Sequence, residues 1–303
     1  LNPEEGAFFD LSARIKLRVR GQDRHRYLNG QLTNDLGKAS EASAIEACVL
    51  NAKGKMDAHV FVHEDGESFL IDADPELRGT LQPRLERYVI ADDVQIEDVT
   101  ARLSILHVIG AEIPNLEVLG HRVAANRFGM SGFDVWIEGD MHDQLFETLA
   151  ALAPFASEEA AETLRIEQGV PRWGRELTNE ILPPEAGLET TAIDYEKGCY
   201  IGQEVISRMK MSGQRAKKLV GFVSDVPIEP GMKLFQIGGD AKEVGWIASA
   251  TRSKSFGKEI ALGYIKRPFL PDKFKLDARD PRDMTRPTVR VEIVDLPFGR
   301  ENN

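Results

Sequence analysis

The stretch KGCYIGQEVISRMK (197–210) gathers more reactive chemistry than any other part of the chain. Cys199 is one of only two cysteines in 303 residues. Gly198 and Gly202 flank it and permit backbone conformations that a side chain would forbid. Lys197 precedes it, and Gln203 and Glu204 open what reads as a helix. A thiol beside an ammonium and near a helix N-terminus has its thiolate favoured electrostatically. The alternative is the role most free cysteines fill, a small buried hydrophobe. Cys48, in AIEACVLN, alternates into a strand and reads as core. The two cysteines form no CxxC and no metal-spaced set, so a disulfide scaffold is not expected and a reducing compartment is. With two thiols at most, the chain alone cannot supply the four ligands of an ordinary iron–sulfur site.

A second concentration is PRWGRELTNEILPPEAGLETTAIDYEKGCY (171–200). Trp173 offers a flat face for stacking, and Glu176 or Glu180 could accept hydrogen bonds from the N–H groups of a heterocycle. The competing reading is a Pro/Gly-rich loop with a packed tryptophan and solvated carboxylates. In LNAKGKMDAHV (50–60), Asp57 follows a glycine turn; it is a cap, a solvated charge, or a general base if a pocket surrounds it. The six histidines (25, 59, 63, 107, 121 and 142) show no metal spacing. His59 and His63 alternate with Val60 and Val62, so they share one strand face, expected to meet solvent.

The elements that must position these groups are mixed. IKLRVR (15–20) alternates as a half-buried strand, and Asp23 caps a helix through RHRYLNGQL. Strands are expected at 44–50 and in DAHVFVHEDGE, with EDGE turning into SFLID (68–72). PELRGTLQPRLERYVI places Leu77, Leu81, Leu85 and Tyr88 on one helical stripe, with a bend at Pro83. Further strands fall at 94–99, 102–110 and 133–139, and HDQLFETLAAL and SEEAAETLRIEQ read as helices. Short strands with intervening helices imply α+β layers. After about residue 215, KKLVGFVSD, MKLFQIGGD, EVGWIASATRS, EIALGYIK and TVRVEIVDL form short β runs between Gly, Pro and Asp turns, as in a small barrel. PRDMTRP (281–287) and FGRENN read as a surface loop and a tail. The expected division is 1–214, two interleaved α+β units, and 215–303, the barrel.

Hydrophobic content of 42% and charged content of 29% are those of an ordinary globular protein. A formal charge of −11 argues against broad nucleic-acid binding, apart from a local basic patch at 208–218. No window reaches the roughly 20 apolar residues that span a bilayer, so no membrane partner is expected. LNPEEGAFFD has neither the basic start nor the apolar run of a secretory signal. The expected compartment is the bacterial cytoplasm, or an organellar matrix where a targeting segment has been removed.

FFDLSARIKLRVRGQDRHRYLNGQLTNDL, RIEQGVPRWGRELTNEILPPEAGLE and above all KGCYIGQE resemble the folate-binding YgfZ-type proteins, in the superfamily of the glycine-cleavage T-protein (aminomethyltransferase). The resemblance runs from about residue 8 into the C-terminal β module. It implies intertwined ferredoxin-like folate-binding units around a central channel, closed by a small barrel. It implies tetrahydrofolate as cofactor and a role in assembling or repairing 4Fe-4S clusters, with assembly proteins or 4Fe-4S client enzymes as partners, radical tRNA-modifying enzymes among them. A transient cluster would need ligands from a partner. By position, Cys199 matches the family's functional cysteine, and Lys197, Gly198, Gly202, Gln203 and Glu204 complete its motif. Trp173 and Glu180 match a tyrosine and a pterin-contacting glutamate of aminomethyltransferases, and Arg215 a folate-contacting arginine.

One departure matters. Aminomethyltransferases carry paired aspartates after a Gly-Gly turn, one of them catalytic; here Asp57 is kept, its neighbour is Ala58, and Lys53 replaces the first glycine. Two readings follow: a folate-binding iron–sulfur factor acting through Cys199, or a folate-dependent one-carbon transferase using Asp57.

Overall fold

The computed structural model describes residues 6–111, 113, 120–237, 242–267, 269, 275–283, 285 and 287–299. In chain order the elements are β1 (Ala7–Asp10), β2 (Ile15–Arg20), α1 (Arg24–Gln31), β3 (Ile45–Leu50), β4 (Met56–Asp65), β5 (Ser68–Ala73), α2 (Leu81–Glu86) and β6 (Gln95–Asp98). β7 (Leu103–Ile109), β8 (His121–Ala125), β9 (Gly132–Glu138), α3 (His142–Ala150), α4 (Glu158–Glu167) and α5 (Gln203–Ser212) follow. The last six are β10 (Lys217–Ser224), β11 (Lys233–Gln236), β12 (Glu243–Ser253), β13 (Lys258–Lys266), β14 (Lys275–Arg279) and β15 (Val289–Val294). No helix among the described residues is long and apolar enough to cross a membrane.

Two antiparallel sheets are threaded through one another. β1 belongs to a four-stranded sheet of order β1-β7-β9-β8, but the chain leaves it to build the five-stranded sheet β3-β4-β5-β2-β6 before returning for β7. The last six strands close into the barrel β10-β13-β12-β11-β14-β15. This is the α+β architecture with a terminal barrel that the alternation and turn spacing imply.

Each sheet has helices on one face. Leu28 of α1 and Leu81 and Leu85 of α2 pack on Val19, Val60 and Ile71 of the five-stranded sheet. Leu145 and Leu149 of α3 pack on Leu106, Val108 and Val135 of the four-stranded one. The second faces meet: Leu70 clusters with Ile105, Val123 and Trp136.

Burial on both faces explains several differences from the sequence reading. His59 and His63 do share a face, but it is the face covered by the other sheet, leaving them 5% and 1% exposed. Alternation identifies a face, not whether something covers it. β1 shows no alternation because Phe8 enters the α3 cluster while Phe9 enters the one containing Leu164 of α4. β8 and β14 are polar strands with only two buried residues each and give no apolar run. The expected helix over 75–90 splits into a 3-10 turn at Pro75–Leu77 and α2, with Gly79 at φ +82° between them. Pro83 produces no break, because it is the third residue of α2, where no intrahelical N–H bond is needed. Tyr88 lies beyond the helix, exposed, beside the Arg84 guanidinium at 4.6 Å. Met284, Arg286 and the tail beyond Gly299 lie outside the described residues.

The sheets are joined by charge as well as by apolar contact. Arg127, in the β8–β9 turn, donates to both carboxylate oxygens of Asp72 on β5 (2.7 and 2.8 Å) and to Asp134 on β9 (2.5 Å). His107 on β7 hydrogen-bonds Asp134 at 2.8 Å, and Arg14 reaches Asp72 and Asp74. All three members of the Asp72–Arg127–Asp134 bridge are buried. Burial opposes their charges, and the Arg127 guanidinium nevertheless holds both carboxyls below the usual range.

Two outcomes are expected. Arg127→Met strands two buried carboxylates and should cost about 3–5 kcal/mol; a loss under about 1 kcal/mol in urea unfolding would show the bridge to be dispensable. Burial also lowers His63 from 6.5 to about 4. The folded state keeps it neutral, so between those values the unfolded chain binds more protons. Stability is full above about 6.5 and falls as pH drops toward 4, by up to about 3 kcal/mol from this group. His63→Phe should flatten that part of a stability–pH curve, with His107, also lowered by burial, accounting for the remainder.

Candidate functional site

The thiol turn is pinned from three sides. Asp194 Oδ1 accepts the backbone N–H groups of Glu196 (2.7 Å) and Lys197 (3.0 Å), which fixes the approach to the turn. Lys197 Nζ donates to the carbonyls of Asn29 (2.8 Å), Leu32 (2.8 Å) and Asn34 (2.6 Å), at the C-terminal end of α1. Burial lowers this ammonium to about 8. All three of its N–H bonds go to carbonyls, so it acts as the anchor of the turn. Ile201 N–H then bonds to Gly30 O at 3.2 Å.

Gly202 closes the turn and caps α5. Its φ is +84°, and a Cβ there would lie 2.6 Å from Asn51 O. Both facts require glycine. α5 begins at Gln203, and Glu204 points outward to pair with Arg208 at 2.5 Å. The result is an exposed Cys199 between a half-buried anchor and a helix start, while Cys48 is fully buried. The thiol is presented, as the polarity of its neighbours implies.

The turn at 51–55 brings other nominated residues to the same side. Gly54 lies against Val205 of α5, and Lys55 pairs with the exposed Glu180. Asp57 accepts from Arg84 Nε at 2.5 Å, and the same guanidinium holds Gln31 of α1 (3.1 Å) and Leu50 O (2.5 Å). Asp57 is therefore neither a cap nor a free solvated charge; it is one arm of an ion pair. Trp173 is half-buried, packed where the five-stranded sheet meets the 177–206 loop. Arg215 pairs with Glu189 at 2.5 Å.

The large cavity lies elsewhere. It has a volume of about 870 Å³ and is enclosed by β1, β4, the β8–β9 turn, α4, the 186–191 loop and one side of the barrel. None of the residues nominated from sequence lines it. Its walls include Phe61, Phe128 and Leu188, interrupted by Glu46, His59 and Arg165. His59 Nε2 and Glu46 Oε1 are 2.7 Å apart. Burial works against the Glu46 charge, yet the hydrogen bond from His59, with Thr191 and Arg127, holds its carboxyl below the usual range. Arg165 bonds Glu162 and Glu176 on one side and Ser249 Oγ of the barrel (2.6 Å) on the other. Of this set the sequence reading names only His59 and Glu176. Glu46 left a signal, a carboxylate inside an otherwise apolar strand run. No group of three or more His, Cys, Asp or Glu among the described residues could hold a metal ion.

A model of the glycine cleavage T-protein C-terminal barrel domain matches residues 217–298. The aminomethyltransferase of Rubrobacter xylanophilus is 30% identical over 96% of this chain and 82% of its own length. A chloroplastic putative transferase of Arabidopsis thaliana is 28% identical over 85% of this chain and 65% of its own length. The crystal structure of the glycine cleavage system aminomethyltransferase T from Bartonella henselae superposes with a TM-score of 0.82, covering 97% of this chain and 86% of that one, at 18% identity. That last likeness is one of fold.

The geometry yields a direct test. In the native protein a thiol reagent should modify one cysteine, and Cys199→Ser should abolish the reaction. Cys48, whose thiol burial pushes up, should react only after unfolding. Labelling of both thiols at equal rates under native conditions would contradict this placement.

Proposed function

Since this chain belongs to the aminomethyltransferase family, we propose that it binds a reduced folate in its central cavity and works in one-carbon chemistry. The observation that carries this reading is the cavity itself. Its 870 Å³ lies within the roughly 300–1,000 Å³ range of sites that enclose small molecules. Its composition fits a pterin: aromatic and aliphatic walls for a flat ring, and the carboxylates of Glu46, Asp74 and Glu162 as acceptors for ring N–H groups. Lys218, exposed on the barrel side, is a counter-charge for an acidic tail. A tetrahydrofolate bound there would supply amine nitrogens that accept or donate a one-carbon unit. Trp173, Glu180 and Arg215, which the family pattern nominates for folate contact, do not line this cavity, so the proposed contacts are its own lining residues.

A second reading is favoured by a different observation. Asp57 is tied to Arg84, whereas Cys199 stands exposed on a turn held by the Lys197 and Asp194 hydrogen bonds. This supports the finer, YgfZ-type assignment, in which Cys199 serves the assembly or repair of 4Fe-4S clusters in client enzymes. One thiolate is a single ligand, so a partner protein, a second copy or glutathione would complete any cluster. The thiol would also serve by exchange or sulfur transfer. Partners of this kind belong with the second reading, in a bacterial cytoplasm or an organellar matrix.

Two measurements separate the readings. Calorimetry should detect tetrahydrofolate binding that falls at least about tenfold in Ala161→Trp, where a large side chain enters the cavity; wild type that fails to bind would sink the folate proposal. In a strain lacking the protein, 4Fe-4S enzyme activity is then scored after complementation. Rescue by Asp57→Asn but not Cys199→Ser assigns the function to the thiol; the reverse assigns it to one-carbon transfer.

A further inference from the structure

We propose that His59, held by Glu46, is the proton acceptor for an N–H group of the ligand in the central cavity. The inference rests on the folate reading and assigns it a proton-handling residue.

β3 and β4 pair so that Cys48 faces His59 and Glu46 faces Phe61. Glu46 and His59 are thus diagonal neighbours on the sheet face that lines the cavity, 2.7 Å apart. A carboxylate at that distance draws the imidazole proton to Nε2, leaving Nδ1 with a free lone pair. Three histidines are buried between the sheets, and they differ in this respect. The Nε2 atoms of His63 and His107 are unpartnered and sealed in the core. His59 Nδ1 also has no protein partner among the described residues, but it is not sealed, and His59 is the histidine that lines the cavity.

The surrounding charges do not preempt the role. Arg127 and Arg14 pass over the Phe61 ring at 4.0 and 5.9 Å, and both are bound by Asp72, with Asp134 and Asp74 completing their pairs. Thr191, from the 186–191 loop, supports Glu46. Glu46 is therefore the charge committed to His59. A neutral amine nitrogen attacks with its own lone pair. Once it has bonded a one-carbon unit, whose leaving group departs with the old bond pair, the nitrogen is cationic. Its N–H proton then passes to Nδ1 and that bond's electron pair stays on the nitrogen. The imidazolium charge is balanced by Glu46. Glu46 is the positioning residue and His59 the catalytic one.

The test is tetrahydrofolate affinity at about pH 7.5, read by calorimetry. His59→Phe removes the acceptor and should weaken binding about tenfold, the worth of one hydrogen bond to a buried ligand group. His59→Asn, whose amide oxygen still accepts, should recover most of that loss, and Glu46→Gln should weaken binding less than His59→Phe. Affinity unchanged in His59→Phe, or lost equally in both His59 variants, overturns the role of His59 alone. Absence of wild-type binding overturns the folate reading beneath it. Should His59→Asn fold poorly, nitrogen-15 spectra of the wild type decide: the proton on Nε2 is expected, and the proton on Nδ1 rejects the proposal.

Discussion

One guanidinium sets the spacing between the two sheets. Arg127 lies in a turn of the four-stranded sheet, yet it is divided between Asp134 of that sheet and Asp72 of the other. A purely apolar interface would tolerate sliding of one sheet over the other. A planar cation with carboxylates on two edges does not, because each bond demands its own direction. Removing three charges from water is expensive, and the arrangement is stable only as a complete set. With the sheets so fixed, Phe61 lies 4.0 Å beneath the guanidinium and the cavity wall follows from it.

The β3–β4 hairpin carries this rigidity to the thiol. Near the open end of the hairpin, Glu46 and His59 line the cavity; at its turn, Asn51 O and Gly54 receive the close approach of Gly202 and α5. Arg84 strengthens the turn by holding Asp57, Leu50 and Gln31 together. The cavity and Cys199 are therefore separate in space but share two strands. A displacement of the hairpin on ligand entry would be felt at the turn that presents the thiol, since its backbone has no slack against Gly202.

How much of this was legible in the sequence depended on what covered each element. The helical stripe of Leu81 and Leu85, the β4–β5 hairpin and the run of barrel strands follow from periodicity and turn residues, and they form as expected. Cys199 was legible because its neighbours are too polar for a core, and its exposure agrees. The cavity was not. Its polar residues come from β3, β4, α4 and the β8–β9 turn, and only the threading of the sheets brings them together. His59 carries the lesson: alternation placed it on the right face, and only the tertiary fold could show that this face is covered. Lys197 was legible as a cation near a thiol, but not as a cap for α1, since its acceptors are carbonyls more than 160 residues away in sequence.

The early departure of β1 from its own sheet bears on how the protein is made. Ala7 pairs with Ile109, so the first strand leaves the ribosome about a hundred residues before its neighbour exists. At roughly 5–20 residues per second that interval is on the order of 5–20 s. During it Phe8 and Phe9 have no partner, while all the strands of the five-stranded sheet have been made by Asp98. Vectorial synthesis thus delivers the adhesive strand β1 early and its cover late. The same threading means that no single cut between β1 and β9 leaves both sheets whole.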